Sequence, residues 1–173
     1  AKYVRNEGNS ADMGSVVSIA VGNTHSCVLR NNGRVKCSGE NSNGQLGDNN
    51  SPNDSTTPVS VANTAGYTNF NAVSISANGD HTCAILADQT AVCWGENSFG
   101  ELGNGSDSNF AVQPNQVVGT TVGDSQLDGV QAIAVGQDTT CAVTSDRKVV
   151  CFGEHGLVGT AAGSGATNRP STG

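Results

Sequence analysis

The chain has 173 residues, of which 35% are hydrophobic and 4% aromatic, with 23 glycines; that suits short strands joined by many turns and gives helices little support. Its net charge is −7 and its eight lysines and arginines are spread along the chain with Arg147-Lys148 as the one adjacent pair, which excludes the clustered cations a nucleic-acid backbone requires. No apolar run approaches the roughly 18 residues that span a bilayer as a helix, so membrane insertion by this chain is not expected.

Residues 1–14 are polar and without period, with Tyr3 and Val4 as their substantial apolar anchors, and read as an N-terminal tether. No leader is visible at Ala1, although a mature chain would have lost one. A first repeat spans 15–71. It holds the strand-like run Val16-Val17-Ser18-Ile19-Ala20-Val21, then His25-Ser26-Cys27-Val28-Leu29, a turn Asn31-Asn32-Gly33, and Arg34-Val35-Lys36-Cys37. If Cys27 opposes Cys37, Arg30 opposes Arg34 and a three-residue loop ends on Gly33, where a type I turn needs a left-handed residue. The same loop position holds Gln89 and Arg147 further on, which suit it less well.

A second repeat spans 72–128, and a third, truncated and degenerate, spans 129–173. Matching cysteines lie 56 residues apart between the first two (Cys27, Cys83) and 58 apart between the second and third (Cys83, Cys141). Periods of this size mark propeller blades or solenoids. Polar connectors run over 48–57, 104–113 and 160–170. The first two lead into Pro58-Val59-Ser60-Val61 and Pro114-Asn115-Gln116-Val117-Val118, each expected to add a strand; the third reaches Gly173 with no strand expected after it.

All six cysteines fall in pairs of equal separation: Cys27 with Cys37, Cys83 with Cys93, Cys141 with Cys151. This predicts one disulfide across each hairpin and an oxidising location, extracellular, cell-surface or periplasmic. Each closed loop should contribute about 2–3 kcal/mol.

The set Val73-Ser74-Ile75, His81-Thr82-Cys83-Ala84, Val92-Cys93-Trp94-Gly95, Asn97 and Gly100-Glu101-Leu102-Gly103 resembles the regulator of chromosome condensation repeat family, in a bacterial-like, disulfide-bearing form with three repeats. The first repeat matches it with His25-Ser26-Cys27-Val28, Gly33, Gly39, Asn41 and Gly44-Gln45-Leu46-Gly47. The resemblance implies β-propeller blades of four strands. It does not imply one function: the family includes an exchange factor for Ran, a plant ultraviolet receptor dependent on clustered tryptophans, and a secreted bacterial inhibitor of beta-lactamases. A lone Trp94 argues against photoreception, and the acidic charge and cysteines argue against a chromatin-bound exchange factor. The sequence departs from the pattern at Ser38 (Trp94 in the second repeat), Thr139 (a histidine in the others), Phe152 (Trp94) and the short ending Gly156-Leu157-Val158-Gly159.

His25 and His81 each lie two residues before a hairpin cysteine, but the cysteine spacing is not that of structural zinc. They read as structural repeat positions satisfied by loop backbone, together with Trp94 and Phe152 as wedges and Gly39, Gly95 and Gly153. Glu40, Glu96 and Glu154 recur in register, which favours a contact with the blade turn over catalysis. Asp48, Asp54 and Asp107, in the connectors, are weak calcium candidates that lack the spacing of a dedicated loop. His155 is solitary and expected to be exposed. No nucleophile elbow or phosphate loop is present, and no cofactor is expected.

The expected fold is all-β: three propeller-type blades, in a partial propeller or open stack, each with a stapled hairpin. Three blades cannot close a ring, so the end blades should leave apolar faces and strand edges open. The expected role is a non-enzymatic extracellular structural or interaction protein, a self-associating subunit of a filament or pilus-like surface assembly. Copies of the chain, a partner protein or missing residues of a longer protein would cover the open ends. The alternative is a secreted binding module or enzyme inhibitor that uses its inter-repeat loops.

Overall fold

A computed structural model describes residues 15–63, 70–106, 108–119, 126–154 and 171–172. The proposed tether (1–14), Asp107, His155 and the Gly156–Gly159 ending lie outside the described residues.

Twelve strands form three four-stranded antiparallel sheets, and the described residues contain no helix. The first sheet is β1 (Val16–Val21), β2 (His25–Arg30), β3 (Val35–Gly39) and β4 (Ser55–Ser60). The second is β5 (Ala72–Asn78), β6 (His81–Leu86), β7 (Ala91–Glu96) and β8 (Phe110–Gln116). The third is β9 (Val130–Val135), β10 (Thr139–Thr144), β11 (Val149–Gly153) and β12 (Ser171–Thr172). Each is a meander in which every strand pairs with the next. Among the described residues, no helix is long and apolar enough to cross a membrane.

The hairpin register follows from turn chemistry. Cys27 opposes Cys37, Cys83 opposes Cys93 and Cys141 opposes Cys151, and all three pairs are disulfide-bonded with Cα atoms 4.1 Å apart. The loop residue before the returning strand is left-handed in every copy: Gly33 at φ 74°, Gln89 and Arg147 at 66°. Two non-glycine residues thus hold a conformation that costs them energy.

Two strand expectations needed correction. The fourth strands begin at Ser55 and Phe110, inside the polar connectors, because an edge strand pairs on one side only and tolerates polar residues and Pro58. The third connector does reach a strand: Ser171 and Thr172 pair with Cys151 and Val150.

The core lies between sheets rather than within one. Leu29, Val35 and Leu46 of the first blade bury against Ile75, Leu86, Val92 and Trp94 of the second. Ile85, Ala91 and Leu102 of the second bury against Val130, Ala142, Val150 and Phe152 of the third. Strand alternation produces this: one face of each blade points back to its predecessor and the other forward to its successor.

Candidate functional site: blade seams and open faces

Both seams are built alike. His25 Nε2 lies 2.7 Å from Thr82 Oγ1, and His81 Nε2 lies 2.8 Å from Thr140 Oγ1. Nε2 of each histidine is therefore met by a hydroxyl of the following blade rather than by loop backbone, while Nδ1 of each is buried without a hydrogen-bond partner. Thr140 Oγ1 also donates to the Glu101 carbonyl (2.9 Å). Its proton being committed, it accepts from His81, which makes His81 the Nε2–H tautomer. Burial lowers His25 to about 4 and His81 to about 3, so both are neutral near pH 7.

Aromatic wedges fill the rest of each seam. Trp94 is fully buried and donates Nε1–H to the Gln45 carbonyl at 2.9 Å. A Cβ on Gly47 would stand 2.7 Å from the Trp94 ring, and one on Gly103 would stand 2.7 Å from Phe152. The glycine ending the Gly44–Gly47 and Gly100–Gly103 turns thus admits the next blade's wedge. Asn41 and Asn97 hold those turns through their side-chain oxygens, which accept from Leu46 and Leu102 N–H at 3.0 Å.

Gly39, Gly95 and Gly153 lie at φ 125°, 102° and 117°. A Cβ at each would stand 2.3 Å from the carbonyl oxygen of Thr24, Asp80 or Asp138. The residues that follow, Glu40, Glu96 and Glu154, donate backbone N–H to those same three carbonyls. The expected contact with the blade turn is made by main chain. Asp48 accepts from Asn41 Nδ2 and Asn50 N–H, and Asp54 accepts from Asn41 N–H; both act as turn acceptors.

Two of the departures from the repeat pattern, Ser38 and Thr139, fall on faces that no described blade covers, whereas Phe152 is buried in the second seam. On the first blade, Ser26, Arg30, Lys36 and Ser38 occupy the positions of Thr82, Leu86, Val92 and Trp94. Ile19 and Val21 share that face and are 68% and 59% exposed, whereas Ile75, at the position of Ile19, is buried. A groove of about 620 Å³ runs here, lined by Val21, Asn23, Ser26, Ser38 and Thr56 among others. On the third blade the forward face keeps its apolar character: Val143 and Val149, at the positions of Ile85 and Ala91, are 38% and 49% exposed. Thr139 stands there in place of a seam histidine. The expectation of apolar open ends therefore holds at the third blade, while the first is half polar.

Residues 16–45, 72–101 and 130–156 each match the Regulator of chromosome condensation (RCC1) repeat, and residues 32–85 match it in a second, longer form. The chain belongs to the regulator of chromosome condensation repeat family. It is 29% identical over 141 residues to the human probable E3 ubiquitin-protein ligase HERC4, covering 82% of this chain and 12% of that protein. A bifunctional serine/threonine-protein kinase/NEDD4-like E3 ubiquitin-protein ligase of Dictyostelium discoideum is 31% identical over 97 residues, 53% of this chain and 5% of its own length. The chain thus spans about an eighth or less of these relatives. Its fold matches the crystal structure of human WBSCR16 at a TM-score of 0.75 and 24% identity, over 94% of this chain and 38% of that one.

Proposed function

We propose that this chain is a non-enzymatic protein-interaction module of an oxidising, extracellular or cell-surface setting, and that the forward face of its third blade is a contact face, for a partner chain or for further repeats of a longer protein. The observation that carries the reading is the forward face of that blade, where Val143, Val149 and the Cys141–Cys151 staple are left partly open. In the two preceding blades the same positions are buried under a neighbouring sheet. A partner that lays a β-sheet or a strand edge on this face repeats contacts the chain already makes twice. Three disulfides, with no free cysteine, are compatible with the proposed location.

The repeat architecture supports a binding role, since its matched polar residues His25, His81, Thr82 and Thr140 join one blade to the next. The test is capture of a partner from the extracellular fraction by the immobilised chain, compared with a Val143→Lys, Val149→Glu double variant. Capture that is equal for both would refute the assignment of this face.

Self-association into a filament is a second reading, favoured by the exposed Ile19 and Val21 at one end and Val143 and Val149 at the other. Simple head-to-tail stacking would set Arg30 and Lys36 where the first seam has Leu86 and Val92, at a desolvation cost. Light scattering across a concentration series tests it: a single monomeric species at every concentration refutes it.

A further inference from the structure

The two seams differ in charge at one matched turn position: Gln45 follows Gly44 in the first seam, and Glu101 follows Gly100 in the second. Glu101 is fully buried, and its Oε2 accepts from Phe99 N–H at 2.8 Å, as Gln45 Oε1 accepts from Asn43 N–H at 2.8 Å. Its other oxygen, Oε1, is buried and has no hydrogen-bond partner. One carboxylate oxygen each from Glu96, Glu101 and Asp138 lie within 4.8 Å of one another.

Three carboxylates drawn this close, one of them with a buried, unpartnered oxygen, are unfavourable unless a cation or a proton joins them. From this geometry we propose that Glu96, Glu101 and Asp138 form a calcium-class divalent cation site that ties the second blade to the third. All three donors are oxygens, which suits a hard cation and gives no place to a thiolate- or imidazole-preferring metal. Calcium takes oxygens at about 2.3–2.6 Å, so two ligands on one ion stand up to about 5 Å apart, and the triad fits that limit. The site draws on β7, the turn after it, and the turn before β10, so an ion there would bridge blades.

Three carboxylate oxygens within 4.8 Å of one another repel in a partly buried setting. An ion would relieve this charge. In the first seam Gln45 reduces the corresponding set to Glu40 and Asp80, so this seam serves as an internal control. A site of three carboxylates, completed by solvent, belongs with the weaker extracellular calcium sites, with Kd on the order of 10⁻⁴–10⁻³ M.

The test titrates the 173-residue chain with CaCl₂ in chelator-treated buffer at neutral pH, followed by calorimetry and thermal unfolding. The expected result is one ion per chain and a saturable rise in Tm. Glu101→Gln should retain the native far-UV spectrum, since glutamine fills the matched position in the first seam, and should weaken calcium binding by ~10-fold or more and abolish the rise in Tm. Gln45→Glu should create a second, weaker site. Absence of binding by the wild-type chain at about 10 mM CaCl₂, well above the range of extracellular modules, would overturn the proposal, as would wild-type affinity in Glu101→Gln. If Glu101→Gln does not fold, Glu96→Gln decides by the same two readings.

Discussion

Removing the Trp94 wedge should uncouple the first blade from the other two. Trp94 is fully enclosed, packs on Gly47, meets Phe70 edge-on at 6.4 Å and donates to the Gln45 carbonyl. Truncation of a buried tryptophan to alanine costs about 3–5 kcal/mol, and the lost hydrogen bond and ring pair place Trp94→Ala toward the upper half of that range. Trp94→Phe keeps most of the volume and loses the Nε1 bond, so it should cost about 1–2 kcal/mol; Phe152 shows that phenylalanine serves at this position in the other seam. Guanidinium unfolding followed by far-UV circular dichroism measures both. Nearest-neighbour coupling in a repeat array predicts where the loss appears. Hydrogen exchange should accelerate first in β1–β4 for Trp94→Ala and first in β9–β11 for Phe152→Ala. A cost below ~1 kcal/mol for Trp94→Ala, or loss of protection confined to β9–β11, would refute the seam account.

Acid should weaken the fold through the seam histidines. Burial keeps His25 at about 4 and His81 at about 3, while both return to about 6.5 when unfolded. The unfolded chain then binds more protons, so stability falls as pH drops from about 6.5 to about 4, by up to ~3 kcal/mol for His25 alone. Glu96 and Glu101, raised by burial, act in the opposite sense, so His25→Gln should flatten the slope of a urea-midpoint series against pH; an unchanged slope counts against the histidine assignment. Gln89→Gly and Arg147→Gly relieve left-handed residues at φ 66° and should each stabilise by up to ~1 kcal/mol, read as a raised urea midpoint. Gly95→Ala sets a Cβ 2.3 Å from the Asp80 carbonyl and should cost ~3 kcal/mol or more by the same assay, whereas Gly105→Ala, with only Val118 near at 3.9 Å, should cost mainly its left-handed strain, ~1 kcal/mol.

The hairpins were legible because everything that specifies them is local. The strand-like runs His81–Leu86 and Ala91–Glu96, the ten-residue cysteine spacing and a turn ending on Gly33 determine strand, register and disulfide within about a dozen residues of chain. The family resemblance added the blade architecture from the same motifs. Other features depend on residues 57 and 59 apart in sequence, as in the His25–Thr82 and His81–Thr140 pairs, and only the packing of one sheet on the next decides them. That packing gives Thr82 its partner and makes Gly47 the socket for Trp94. It also turns Ser38 and Thr139 from apparent decay of the repeat into residues on uncovered faces. Glu101 stood in plain view in the Gly100–Gly103 motif, one carboxylate away from Gln45 at the matched position. Its meaning required the third blade, because Asp138 comes within reach only when β9 and β10 close over the second sheet.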